Sequence, residues 1–242
     1  MAGIFVSTQP SVEPISLAQA KNFLRVSNTD DDELIGDLIS AAREEVEFFT
    51  SRSFAIKQFV QVLDSFPYYT DTCVSQMAYP PSYYSLPMYS TTLWNYSQMI
   101  KLFWPPCISV EGIDYTDANG ENQTLEQDVD FLLDDVCEPS RIFAMPGGMW
   151  PPCLYVPNAV RVRFTAGMGA TALNPNPLYG DLAKGAGSQP IPKRAITVMK
   201  QLIAAWYENR EAVTQDNMRK LPHHCEMLLW SLRVYDMCPT RG

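Results

Sequence analysis

Asp30-Asp31-Asp32-Glu33-Leu34-Ile35-Gly36-Asp37-Leu38-Ile39-Ser40-Ala41-Ala42-Arg43-Glu44-Glu45-Val46-Glu47-Phe48-Phe49 is the stretch that decides how this chain is built. Leu34, Ile35, Leu38, Ile39, Ala42, Val46 and Phe49 recur at helical spacing, while Asp37, Arg43, Glu44 and Glu47 fall largely off that stripe. The three aspartates suit a helix start, where carboxylates cap free N–H groups and face the positive end of the dipole. Such a helix has one apolar face to bury and needs partners.

Its neighbours upstream and far downstream supply them. Ser16-Leu17-Ala18-Gln19 reads as a capping box opening a short helix from about Leu17 to Arg25. Near the other end of the chain, Pro192 suits a first helical turn, and Ile196, Met199, Ile203 and Trp206 mark a stripe running to about Asn209. A last helix follows Pro222, with Cys225, Leu228, Leu229, Leu232 and Tyr235 on one side. Between these pairs the pattern turns β-like. Phe54 to Leu63 is expected as a strand with Ile56, Val60 and Val62 on one face, although Gln58 and Phe59 spoil the alternation. Ile100 to Trp104, Ser109 to Tyr115 and Gln123 to Leu125 follow as strands, the last two joined through the turn residues Asp117-Ala118-Asn119-Gly120. The clearest strand has Val160, Val162 and Phe164 pointing one way and Arg161, Arg163 and Thr165 the other.

The expected fold class is therefore α+β: terminal helices packed into a bundle, with a small antiparallel β module inserted in the middle. The chain divides into 1–65, N-terminal helices and first strand; 66–99, a Tyr-, Ser- and Pro-rich insertion; 100–169, the β module; 170–191, a flexible connection; and 192–242, the C-terminal helices.

Composition narrows the function. With 46% hydrophobic and 19% charged residues in 242, this is a folding sequence, and no apolar run approaches a membrane span. The start, Met1-Ala2-Gly3-Ile4-Phe5-Val6-Ser7, lacks a secretory signature, so the chain is expected to stay in the cytoplasm where it is made. A net charge of −9 with no Lys/Arg cluster argues against a duplex-binding protein, although acidic surfaces can stand beside DNA and leave it free to slide. Cys73, Cys107, Cys137, Cys153, Cys225 and Cys238 are scattered without a C-x-x-C pair and read as free thiols.

Candidate chemistry has a plainer reading at each place. The Asp30-Asp31-Asp32-Glu33 run offers hard oxygens, but consecutive helical residues diverge, and a cap accounts for it without a metal. In His223-His224-Cys225 the adjacent histidines diverge too, and no second ligand pair stands at zinc spacing. Thr165-Ala166-Gly167-Met168-Gly169 lacks the lysine and following helix of a phosphate loop and reads as a strand ending in a turn. No nucleophile, base and acid share a recognisable context, so no catalytic residue, metal or cofactor is assigned. The remaining signal is aromatic. Tyr68, Tyr69, Tyr79, Tyr83, Tyr84, Tyr89 and Tyr96 crowd the first insertion, which is either a contact surface, with Tyr83 and Tyr84 its centre, or a solvated loop.

Several segments, in order and with matching spacing, resemble the tailed-phage head-tail connector (adaptor) proteins. They are Pro14-Ile15-Ser16-Leu17-Ala18-Gln19-Ala20-Lys21, Leu24-Arg25-Val26, Asp31-Asp32-Glu33-Leu34-Ile35, Ile39-Ser40-Ala41-Ala42-Arg43-Glu44 and Thr50-Ser51-Arg52. In the rear half, Val160-Arg161-Val162-Arg163-Phe164-Thr165-Ala166-Gly167, Trp206-Tyr207-Glu208-Asn209-Arg210-Glu211-Ala212 and the tail from Leu221-Pro222 through Leu228-Leu229 to Arg233-Val234 continue the likeness. This chain has Ser51 where many relatives have glycine, and its two insertions are longer.

The resemblance implies a virion structural protein and not an enzyme. Such a protein joins the portal vertex after DNA packaging as a ring, usually of twelve copies, and carries the next neck or tail component. DNA passes its lumen without sequence-specific contact, and no membrane is involved. Leu228, Leu229, Leu232 and Tyr235 would then lie either in the core or at the portal contact, the helical stripe favouring the core. The alternatives are a neck or tail-completion protein that binds the tail tube, a small metal-dependent hydrolase, and a host-directed binding module using the aromatic loop.

Overall fold

The computed structural model describes residues 3–67, 99–169, 190–208 and 223–234. Strand β1, Gly3–Thr8, is followed by helices α1, Leu17–Leu24, and α2, Asp32–Thr50, and by strand β2, Lys57–Leu63. Then come β3, Ile100–Lys101; β4, Cys107–Thr116; β5, Asn122–Leu125; β6, Phe131–Asp134; β7, Arg141–Ala144; and β8, Val160–Ala166. Helices α3, Lys193–Glu208, and α4, His223–Trp230, complete the described chain.

Local chemistry sets the helix ends. Ser16 Oγ accepts from Gln19 N at 3.3 Å while Gln19 Oε1 accepts from Ser16 N at 3.3 Å, so the capping box forms as expected. At the start of α2 the expectation is only half met. Asp31 occupies the cap position, but its side chain makes no capping hydrogen bond; Oδ2 instead accepts from the Tyr207 hydroxyl at 2.7 Å, tying α2 to α3. Ser51 ends α2 in the left-handed region, φ 55° and ψ 35°, so the sharp turn persists without glycine.

Ile35, Ile39, Ala42 and Val46 pack with Ala195, Val198, Met199, Leu202 and Ile203 of α3 and with Cys225 and Leu229 of α4, giving the helices one shared apolar core. Two residues assigned to the polar face of α2, Arg43 and Glu47, are buried instead, each only 2% exposed. They sit on the flank of the stripe that turns toward the start of β2, where a hydrophobic count along the helix sees only charge.

The antiparallel sheets are larger than a small middle insertion. A five-stranded sheet runs in the order β1-β2-β8-β4-β5, and a three-stranded sheet in the order β3-β7-β6. Two of these strands come from the N-terminal segment, so the body is rich in sheet and the α+β class is realised with strands on both sides of the first helices in sequence. β1, β6 and β7 were not foreseen: Gly3–Thr8 and Arg141–Ala144 are short and lack alternation strong enough to read alone. The strand expected over Ile100 to Trp104 pairs only at Ile100 and Lys101, and that expected from Ser109 begins at Cys107.

Register decides which face of β2 turns inward. Phe59 pairs with Phe164, Gln61 with Val162 and Leu63 with Val160. Cross-strand partners share a face, so Phe59, Gln61 and Leu63 point inward with Val160, Val162 and Phe164, and Val60 and Val62 lie on the outer face. Phe59 stacks on Phe164 with centroids 5.5 Å apart. Gln61, 1% exposed, donates Nε2 to Lys101 O at 2.8 Å and accepts from Phe103 N at 3.2 Å, joining the two sheets across a core that includes Phe66, Phe131, Ile142 and Trp150.

β8 ends at Gly167 because another backbone passes there. A Cβ on Gly167 would lie 2.3 Å from Ala55 O, and φ is +143°. The expected insertion over 66–99, the connection over 170–191 and the end of the third helix at Asn209 lie largely or wholly outside the described residues.

Candidate functional site

The charged centre of the molecule is the joint where α2 hands over to β2. Glu47 Oε1 accepts from Phe54 N at 2.8 Å and Ala55 N at 3.2 Å, closing the chain reversal after Ser51. Its Oε2 accepts from Arg43 NH1 at 2.9 Å and from Lys57 Nζ. Arg43 Nε reaches Glu13 Oε2 at 2.9 Å, so the segment before α1 is bound into the same network. Burial opposes the Arg43 charge, but Glu47 and Glu13, by charge and hydrogen bonds, more than offset it and hold the guanidinium's pKa above its ordinary value. Sequence pattern gave no warning of this network. The one available signal was a Glu four residues after an Arg on a single helix.

Beside the joint lies an apolar groove of about 380 Å³ between β1 and α2, lined by Phe5, Val6, Phe48 and Trp104 among others. Phe48 is 77% exposed.

Of the residues expected to contact a partner, Leu229 is fully buried in the helical core, whereas Leu228 and Leu232 are half-buried at its rim. Tyr83, Tyr84 and Tyr235 lie outside the described residues. The end of α4 is tied to the joint: Arg52 Nε donates to Leu232 O at 2.6 Å, its guanidinium pairs with Glu138, and Val234 N donates to Thr50 O at 3.0 Å. Met227 and Trp230 stay exposed on this helix, with Trp230 edge-on to Phe49.

For chemistry at a centre, the arrangement offers little. Among the described residues no group of three or more His, Cys, Asp or Glu converges as metal ligands would. The carboxylates of the Asp30 to Glu33 run diverge, Asp31 to Tyr207 and Asp32 to Lys21. The His223 and His224 side chains are outside the described set, and Cys225 Sγ lies 3.2 Å from Gln201 Oε1. Cys107, Cys137, Cys153 and Cys225 are free thiols. Burial pushes the Cys225 thiol up, and burial with Asp135 nearby pushes the Cys107 thiol far up, so neither is a ready nucleophile. No helix among the described residues is long and apolar enough to cross a membrane.

What the molecule does present is surface. On the outer face of the larger sheet, Arg161 and Arg163 stand beside Phe5, Val60 and Val62 around a shallow depression of about 620 Å³. α2 carries an acidic solvent face.

Compared with known structures, this fold is similar to that of chains from a gene transfer agent particle. It superposes on a chain of the neck of an empty gene transfer agent particle, computed with C6 symmetry, with TM-score 0.61 and 18% identity, covering 99% of this chain and 100% of that one. A chain from the neck of the native particle, computed with C12 symmetry, gives TM-score 0.60 and 18% identity, covering 100% of both. A chain of the native gene transfer agent virion gives 0.61 and 17%, covering 99% of both. At such identities the likeness is one of fold. Residues 14–78 match the family model of the phage gp6-like head-tail connector protein, the stretch that holds α1, α2, the charged joint and β2. The likeness to the phage head-tail connectors is thus one of sequence over that N-terminal segment and of fold over the rest. No curated protein matches its sequence.

Proposed function

We propose that this protein is a virion structural component and not an enzyme, a head-to-tail adaptor that assembles as a ring under the portal once DNA is packaged and carries the next neck or tail component. The observation that carries the reading is the coincidence of the connector-family segment with a fold shared end to end with neck chains of a phage-like particle. The C12 symmetry of one such neck supports twelve copies. DNA then passes a lumen without sequence-specific contact, in keeping with a net charge of −9. The finer architecture proposed is a helical layer, α1 to α4, that acts as one unit beside the sheet body, with 66–99 and 170–191 as insertions. Leu228 and Leu232 at the rim of that layer, with Tyr235 beyond it, form the portal contact, and Tyr83 and Tyr84 a second contact.

The test is to mix the purified chain with the portal protein of the same particle and image the product. A ring stacked coaxially on the portal is the expected result. A chain that ignores the portal and binds tail tube is a tail-completion protein instead. Leu228→Ala and Leu232→Ala should weaken portal binding more than they lower the melting temperature.

A further inference from the structure

Resting on the ring reading, we infer that the outer face of the larger sheet, centred on Arg161, is one half of the contact between neighbouring copies, and that the other half is the Glu33–Asp37 edge of α2 from the next copy. Asp114 lies directly across the ladder from Arg161, yet Arg163 takes its carboxylate, Nε to Oδ2 at 3.0 Å and NH2 to Oδ1 at 3.1 Å. Thr124 donates to the same Oδ1 at 2.8 Å. Arg161 takes no share of that carboxylate: its exposed guanidinium makes no hydrogen bond or ion pair with any described residue. It stands where two shallow depressions meet, one bordered by Phe5, Val60 and Val62, the other by Tyr115, Asn122 and Thr124. Phe5 is 55% exposed. An arginine without a partner among the described residues, beside the exposed Phe5 ring and the half-buried Val60, is the composition of an interface centre, where Arg and aromatics are enriched.

The chain itself carries the complement. Glu33 and Asp37 are exposed, stand four residues apart on one helical face and make no ion pair with a described cation; Leu34 beside them is 36% exposed. Two like charges at that spacing repel mildly in the isolated chain, and a cation from a neighbour relieves them. The two patches are well apart along their own elements. Glu33 precedes the Glu47–Lys57 joint by fourteen helical residues, roughly 20 Å, and Arg161 lies five strand residues, roughly 17 Å, from Ala166, the partner of Lys57. Two unlike patches on one chain that complement each other give a head-to-tail contact, the kind that closes into a ring.

Sedimentation velocity and negative-stain imaging of the full chain, alone and with the portal protein, test this. Arg161→Glu and Asp37→Arg, each folded by circular dichroism, should each weaken ring formation about tenfold or more, since like charges then face each other. The Arg161→Glu/Asp37→Arg double variant, and an equimolar mixture of the two single variants, should recover rings, because every reversed charge again meets its opposite. Wild-type rings with single variants that assemble equally well, or with losses that neither the double variant nor mixing repairs, overturn this contact and leave the adaptor reading standing. A wild-type chain that forms no ring with or without portal overturns the adaptor reading and this contact together.

Discussion

Replacing Glu47 by glutamine should be among the most damaging conservative changes in the chain. The carboxylate accepts four hydrogen bonds while its side chain is only 3% exposed. Glutamine can keep the two bonds from Phe54 and Ala55 through its oxygen, but its amide nitrogen then faces Arg43 and Lys57, donor against donor. Arg43 retains Glu13; Lys57, 8% exposed, makes no other ion pair among the described residues. Breaking a buried pair while leaving one charge behind costs about 3–5 kcal/mol. Against the total stability of about 5–15 kcal/mol usual for a folded protein that is a large share. For a chain of this size it lowers Tm by roughly 6–20 °C. Urea unfolding followed by tryptophan fluorescence, beside a thermal melt, provides the measurement. Glu44→Gln serves as the control, because Glu44 meets the same arginine at 3.3 Å but is 63% exposed, so its loss should cost about 0–1 kcal/mol. Adding Lys57→Met to Glu47→Gln should recover part of the loss by removing the stranded charge. If Glu47→Gln and Glu44→Gln shift the unfolding midpoint equally, the joint is not held by this network.

Three further changes follow from single positions. Gly167→Ala places a methyl group against the Ala55 carbonyl and should cost about 3 kcal/mol or more, read as a lower Tm; an unchanged melt would mean that the two backbones do not approach as described. Ser51→Gly should add about 1 kcal/mol, since glycine adopts the left-handed end of α2 without the penalty serine carries, and a neutral or lower Tm would contradict that. Burial disfavours the Asp134 charge, but hydrogen bonds from Arg141 and Cys137 outweigh it and hold the pKa below the usual carboxylate range. Its stabilising contribution is therefore full above the unfolded pKa of about 4 and is lost as pH falls through the lower folded value. Asp134→Asn should flatten the acid limb of a stability-against-pH curve, and an unaltered limb would count against the pairing.

How much of this was legible beforehand varies by residue. The capping box at Ser16 and Gln19 and the inward set Val160, Val162 and Phe164 were readable because capping and alternation are local and each leaves its own signature. The α+β class followed from the same two periods. β1 was missed because an edge strand of six residues is defined by its neighbour, and the inward face of β2 was not legible because Gln61 points inward to serve two backbone groups. Arg43 and Glu47 were read as lying largely off the apolar stripe, and their burial was not legible because charge was taken as a sign of solvent.

The chain by itself determined where its helices start, which strand is most strongly alternating, how acidic it is, and that its segments line up with the head-tail connectors; all of these depend on neighbours in sequence. Only the tertiary structure decided which charges are buried and which are left over. Glu47 becomes a structural centre because Lys57 and the Phe54 and Ala55 amides fold back onto it, and Asp114 pairs with Arg163 while Arg161 across the ladder finds no partner among the described residues. Partnership between distant charges is a matter of geometry, and no spacing along a chain records it.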